Sequence, residues 1–273
     1  MSGSTPSTPM SSAPLASVPL DALVTHLDTL LATTSTPDYP PALNGLQVQC
    51  RRPITRVAAA VDASQRTIDA AIADGTTLLL VHHGLYWSGL QPLVGMHYAR
   101  IRALLDADVA LYSAHLPLDA HETFGNSRLL ASKLDLTVTA GFAAYQQIHC
   151  GVQGTADLET SALAERVREW AIPWGHHTVV STIPAGHRTR RWAICSGAGA
   201  QVSTLQEAYA AGIDTLIVGE GPHWSAVEAA ERGLVIIYAG HYATETLGVR
   251  AVAAHLQEWF GLPWTFIDAP TGL

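Results

Sequence analysis

The sequence predicts an α/β (α+β) fold built from two related, intertwined halves with mixed sheets, their chemically active residues gathered at strand ends. Three observations carry this. The apolar runs TLLLV at 77–81 and TLIV at 215–218 are Leu-rich and β-branched, the signature of strands covered on both faces. Segments with apolar residues at helical spacing alternate with these strands. The order strand, helix, glycine, strand, polar turn occurs twice along the chain, as a duplicated α/β unit would write it.

In chain order, residues 1–19 are mostly Ser, Thr, Pro and Ala, with no basic start and no apolar stretch. They read as a disordered tail and not as a secretory leader. Residues 20–31 carry a first helix. Asn44 and Gly45 mark a turn entering a short strand through Val48. The first unit then runs as a strand at 57–61, a helix at 65–73, Gly75, and a strand at 77–81 ending in His82–His83–Gly84. The second runs as a strand at 191–195, a glycine-rich turn at 196–199, a helix at 202–211, Gly212, and a strand at 214–218 ending in Gly219–Glu220–Gly221. Gly75 and Gly212 stand where a helix C-cap glycine belongs. The echo continues, because VALYSAH ending at His115 is answered by VIIYAGH ending at His241, and a carboxylate follows four residues after each, Asp119 and Glu245. Further helices are expected at 96–107, 159–170 and 244–260, and a strand at 178–182. The folded part is therefore a single domain, 20–273, of two halves, roughly 20–125 with 236–273, and 126–235.

Composition narrows the function. With 273 residues, 48% of them hydrophobic, the chain can bury a sizeable core. A net charge of -8 argues against tracking along nucleic-acid phosphates. No run of 18 apolar residues offers a membrane span. Three widely separated cysteines without a CxxC argue against a thiolate zinc site and a disulfide framework, which fits a reducing cytoplasm. The 13 histidines nearly equal the 15 Lys and Arg combined, and histidine is the commonest metal ligand.

Three clusters point to metal chemistry. His82 and His83 close a buried strand, and Gly84 allows a tight turn that would turn both imidazoles toward one cavity. His115 and Asp119 follow a second strand, with Pro117 stiffening the loop between them. His241 and Glu245 share one face if a helical turn begins there, and a helix start favours an anion. Taken singly, each has a plainer reading: a surface histidine pair, a loop Asp capping a helix, a surface His–Glu pair. Taken together, three imidazoles and two carboxylates at converging strand ends can hold two ions if one carboxylate bridges. Imidazole with carboxylate suits Zn, Fe, Mn, Ni or Co, and paired metals are a common hydrolytic device. His115 and Glu220 are the expected proton carriers. His97, His121 and His223 are further candidates near the cleft, whereas His149, His176, His177, His187 and His255 read as surface or packing residues. Gly197–Ala198–Gly199 lacks the full spacing of a dinucleotide turn. No GxSxG elbow and no Cys–His nucleophile signature occurs.

NGLQV, VHHGLYW, AHLPLDAH followed by Gly125–Asn126, and GHYATETLGVRAV occur in one order, and together resemble the NGG-interacting factor-three family, also called type-two GTP cyclohydrolase I homologues. The resemblance covers about residues 20–265. It implies a dinuclear centre with ligands at His82, His83, Asp119, His241 and Glu245, the last as bridge. It also implies a homohexameric ring with the metal sites facing an internal cavity, and opening of a GTP-like ring. The expected substrate is a small or nucleotide-like molecule; a non-catalytic metal-binding regulator or scaffold is the competing reading. Tyr242 departs from the family's GHHATE, and Gly221–Pro222–His223–Trp224 is also unusual after Gly-Glu.

Overall fold

A computed structural model describes residues 16–175 and 177–273. Residues 1–15 of the expected tail, and His176, lie outside the described residues. Val18 already belongs to the fold: its backbone exchanges hydrogen bonds with Ile54, and its side chain is buried.

Among the described residues the strands form two mixed sheets. The first contains β1 (Gly45–Val48), β2 (Val57–Asp62), β3 (Leu78–His83), β4 (Ala110–Ser113) and β11 (Trp264–Phe266), in the order β1-β4-β3-β2-β11. The second contains β5 (Val138–Tyr145), β6 (Ile148–Glu159), β7 (Val179–Val180), β8 (Arg188–Cys195), β9 (Thr215–Val218) and β10 (Val235–Tyr238), in the order β5-β6-β8-β9-β10-β7. The helices are α1 (Leu20–Leu31), α2 (Gln65–Ala73), α3 (Gly95–Ala107), α4 (Leu116–Asp119), α5 (Asn126–Lys133), α6 (Thr160–Ala171), α7 (Val202–Ala211), α8 (His223–Glu231) and α9 (His241–Phe260).

The duplication is visible in the pairing. β2, β3 and β4 run parallel, as do β8, β9 and β10. In each sheet a short strand joins the last of the three antiparallel, β1 on β4 and β7 on β10. Side chains alternate between faces as a strand requires. Ala59, Leu78, Leu80 and Tyr112 enter one core with α1 and α9, while Ala60, Leu79, Val81 and Leu111 enter another with α2 and α3. The second sheet repeats this, with Ile194, Ile217 and Ile237 on one face and Ala193, Leu216 and Val218 on the other. Residues buried on both faces leave no polar alternation, so these strands read as continuous apolar runs.

Two elements depart from expectation. The β5–β6 hairpin, absent from the sequence reading, contains the longest strand of the second sheet, at 12 residues. Few of its positions are fully buried, and Gly141, Gly151 and Gly154 interrupt its apolar positions, so no apolar run announces it. Helix α9 begins at His241 and not at 244, because Gly240, at φ 98°, turns the chain directly from β10 into the helix.

α9 joins the two sheets. Val249, Val252 and Leu256 pack into the first sheet's core, whereas Leu247 packs into the second's. At Gly248 the helix passes so close to its neighbours that an added Cβ would stand 2.9 Å from Asn126 Oδ1 and 3.0 Å from Leu118 Cδ2.

Candidate metal centre

The carboxyl ends of the parallel strands of both sheets meet at one cavity of about 580 Å³. This is where open α/β sheets place their ligands. Asp62 and His83 end β2 and β3, and His115 follows β4. Ser196 follows β8, Glu220 follows β9, and His241 opens α9 after β10. All of these line the cavity, together with Asp119, Tyr242 and Glu245.

His82 and His83 stand on consecutive positions of β3, yet their rings lie 4.8 Å apart. The nitrogens of His82, His83 and His115 fall within 4.8 Å of one another, a group that could hold a metal ion. The donor atoms of His83, His241 and Glu245 form a second such group. Asp119 is in neither group, but its Oδ2 lies 3.4 Å from His82 Nε2. Glu245 reaches both groups: Oε1 is 3.6 Å from His82 Nε2, and Oε2 is 3.4 Å from His83 Nε2 and 3.1 Å from His241 Nε2.

Each imidazole is anchored through its other nitrogen. His82 Nδ1 bonds the Ala114 carbonyl at 2.9 Å, His83 Nδ1 bonds Asp62 at 2.9 Å, and His241 Nδ1 bonds Glu220 at 2.8 Å. His115 Nδ1 bonds Asp38 at 2.8 Å. With an oxygen acceptor at each Nδ1, that nitrogen carries the hydrogen and Nε2 is the atom turned to the cavity, able to ligate once any proton on it is shed, the arrangement typical of ligating histidines. Asp119 Oδ1 is fixed by Asn126 Nδ2 at 2.9 Å and by the Ser196 hydroxyl. Asp38 is itself held by Asn44 and by the backbone N–H of Leu116. Burial alone would raise the Asp38 carboxyl, but hydrogen bonds from His115, Asn44 and Leu116 outweigh it and hold the group below the usual range.

The electrostatics are unbalanced without a cation. Burial opposes charge on His82, yet Asp119 and Glu245 beside it push the imidazole well above its ordinary value. For His241 burial is again outweighed, by Glu245 and Glu220, and the imidazole is pushed up to about 9. Burial opposes charge on Glu245, but His83, His82 and His241 hold its carboxyl well below the ordinary range. Among the described residues, His82 Nε2 and Glu245 Oε2 are buried and have no hydrogen-bond partner. Leaving such atoms unpaired costs about 1–3 kcal/mol each. A cation would satisfy the lone pairs on both, so the donor set fits a metal.

Apart from Glu220, the residues that hold the imidazoles are not those expected from sequence. His121 accepts hydrogen bonds from the N–H groups of Thr123 and Phe124 and donates to the Leu30 carbonyl, and His97 packs on Tyr86. His223 begins α8 and is not among the residues lining the cavity. Asp62, whose backbone pairs with His83 across the ladder, carried a usable signal: it is the carboxylate ending the strand VAAAV. Asp38 and Asn44 carried none, because their role depends on a loop reaching β4. Gly197, at φ 62°, lies against the centre; a Cβ there would stand 2.2 Å from Glu245 Oε1. Tyr242 lines the cavity, and its hydroxyl donates to Asp268 at 2.7 Å and accepts from the Ala269 N–H. Burial pushes the Cys195 thiol up to about 12, so it is no thiolate nucleophile at neutral pH.

The model of the Duf34/NIF3 (NGG1p interacting factor 3) family matches residues 19–271. A protein of Deinococcus radiodurans named "GTP cyclohydrolase 1 type 2 homolog" is 41% identical over 255 residues, covering 93% of this chain and 94% of that protein. A relative of the same name from Halobacterium salinarum is 43% identical, covering 85% of this chain and 91% of its own. Among solved structures, protein ybgI, described as of unknown function, matches with TM-score 0.81 and 33% identity over 92% of this chain and 98% of that one. TTHA1606 from Thermus thermophilus matches with TM-score 0.79 and 37% identity over 93% of this chain and 99% of that one.

Proposed function

Because the chain belongs to the Duf34/NIF3 family, we propose that it holds two divalent transition-metal ions between its sheets and catalyses a hydrolytic reaction on a small, nucleotide-like molecule. The observation that carries this is the pair of sealed, unpartnered atoms, His82 Nε2 and Glu245 Oε2, facing the gap between the two donor groups. His82, His83, Asp119, His241 and Glu245 would be the ligands, with Glu245 as bridge, since its two oxygens face different imidazoles. Imidazole and carboxylate together select Zn, Fe, Mn, Ni or Co over Mg or Ca. Such ions would supply Lewis acidity and make water a nucleophile near neutral pH.

The chain's own residues do the rest. Asp38 fixes the His115 ring and leaves Nε2 to accept or return a proton in the cavity. Glu220 orients His241 and, being partly exposed, can pass protons to solvent. Trp87 stands edge-on to His115 at 4.7 Å and forms part of the cavity wall. A volume of about 580 Å³ accommodates a nucleotide-sized molecule and supports an enzyme over a closed structural metal site. The names of the relatives suggest GTP as the first substrate to try. A homohexamer in a reducing cytoplasm completes the proposal, and sedimentation of the purified protein tests its assembly.

The decisive experiment is metal analysis of protein purified without added metal, followed by assay against GTP and a hydrolase panel. Two transition-metal equivalents per chain are expected, with turnover abolished in His82→Ala and Glu245→Gln. Turnover that survives both substitutions removes the reading. Two bound ions without turnover of any substrate would support the metal-binding regulator or scaffold instead.

A further inference from the structure

One stretch of the cavity wall is a continuous row of rings. Tyr145 meets Tyr39 at 5.0 Å, and Tyr39 lies 6.2 Å from His115. Trp87 follows, 4.7 Å from His115 and 5.5 Å from His83. These spacings are those of rings in contact. All five line the cavity, and the row ends at the metal centre. Its outer member Tyr39 is 48% exposed. A single exposed ring is ordinary, but this one extends a row that leads to the ligands, and its open surface offers a platform for another flat ring.

Two backbone features hold the outer rings in place. Tyr39 precedes Pro40 and Pro41, which keep its backbone extended, and its N–H donates to Asp38 Oδ1 at 2.6 Å. Asp38 is also the residue that holds His115. In β5, Ala143 adopts φ 56°, a left-handed conformation unfavourable for a residue with a side chain. Alternation along a strand would turn Ala144 away from the face shared by Ala143 and Tyr145. With this kink all three line the cavity. The Ala144 N–H donates to Glu207 Oε2 of α7 at 2.8 Å, which fixes the kink.

Charge selects among flat ligands. Among the described residues no Lys or Arg lines the cavity, whereas Asp62, Asp119, Glu220 and Glu245 do. Apart from the imidazoles, its donors are neutral: hydroxyls, an amide, the Trp87 indole and N–H groups at the starts of α7 and α9. Two divalent ions would only balance those four carboxylates, so even a loaded cavity has no surplus positive charge for a triphosphate.

We infer that this wall binds the flat ring of an unphosphorylated heteroaromatic molecule, a nucleobase or nucleoside, stacked on Tyr39 and Tyr145, and that it disfavours the triphosphate of the same ring. This narrows the substrate class and rests on the cavity being the substrate site proposed above.

The test is calorimetric titration of zinc-loaded protein with guanosine, adenosine, cytidine and GTP, in the wild type, Tyr39→Phe and Tyr39→Leu. Tyr39 is half exposed, so replacing it leaves the core intact. Tyr39→Phe keeps the ring and removes the hydroxyl, whereas Tyr39→Leu removes the stacking surface. Nucleoside affinity is expected to fall about tenfold in Tyr39→Leu, the effect of deleting one stacking ring, and to be retained in Tyr39→Phe, with zinc content unchanged. GTP is expected to bind more weakly than guanosine. Wild-type nucleoside affinity in Tyr39→Leu overturns the inference, since no ring is then stacked there. So does GTP bound as tightly as guanosine, or no binding of any of the three nucleosides. Repeating the titrations on chelator-treated protein separates the two readings. Nucleoside binding that depends on the Tyr39 ring, in a protein that takes up no metal, would leave this inference standing and remove the metal reading. Two bound ions with nucleoside binding indifferent to Tyr39→Leu would do the reverse.

Discussion

Glu245, 3% exposed at the start of α9, sits among three imidazoles, and its charge favours the protonated forms of His82 and His241. The consequence for pH can be worked out for His241, whose value rises from an ordinary 6.5 to about 9 in the folded chain. A raised value means the folded state holds the proton more tightly than the unfolded one. That stabilisation is complete below pH 6.5 and is lost as pH rises through about 9. Chelator-treated protein should therefore unfold at progressively lower temperature across this window, and Glu245→Gln should flatten the trend. Metal uptake should move oppositely and tighten with pH, because ligating imidazoles must shed their protons. Gly197 gives a second prediction. Alanine there would press a methyl group against Glu245 and hold φ near 62°, so Gly197→Ala should lose bound metal while circular dichroism stays native. His115→Ala should retain both ions and lose turnover by about 10²–10⁴-fold if His115 carries protons rather than ligating.

At the scale of elements, α9 does two jobs with one stretch of chain. Its first turn presents His241 and Glu245 four residues apart, on one face. Its next turns must then pass between the two sheets, and Gly248 makes that passage possible. Replacing a helical glycine by alanine normally gains about 1 kcal/mol of helix propensity. Here the added methyl meets Asn126 and Leu118 at 3.0 Å or less, and crowding of a packed interior costs about 1–3 kcal/mol. Crowding should win, so Gly248→Ala is expected to lower the urea midpoint without changing its slope. The substitution also disturbs Asn126, which holds Asp119, so metal affinity should fall with it.

At the scale of the molecule, the donor groups draw on the first sheet and on α9, which follows β10 of the second sheet, so bound ions would tie the halves together. A ligand that binds only the folded state at one hundred times its dissociation constant adds about 2.7 kcal/mol. Chelation should accordingly lower the thermal midpoint, and addition of zinc should restore it. The same dispersed origin explains why the site escapes any local motif: no segment alone supplies more than two of the five expected ligands.

The amino-acid sequence determined the units and their chemistry. Duplicated apolar runs and glycine stops are local features, and α1, α2 and α7 have the bounds their residues imply. His82, His83, His115, Asp119, Glu220, His241 and Glu245 stood out because their side chains follow apolar strands. The β5–β6 hairpin did not, since antiparallel strands are joined by backbone groups that every residue carries, and its glycines interrupt the apolar positions. Tertiary structure alone decided which nitrogen of each imidazole faces the cavity. Asp38 reaches His115 across 77 positions, and Asp62 reaches His83 across 21. Such partners are selected by distance in space after the sheets have packed, and nothing in their sequence neighbourhood encodes that distance.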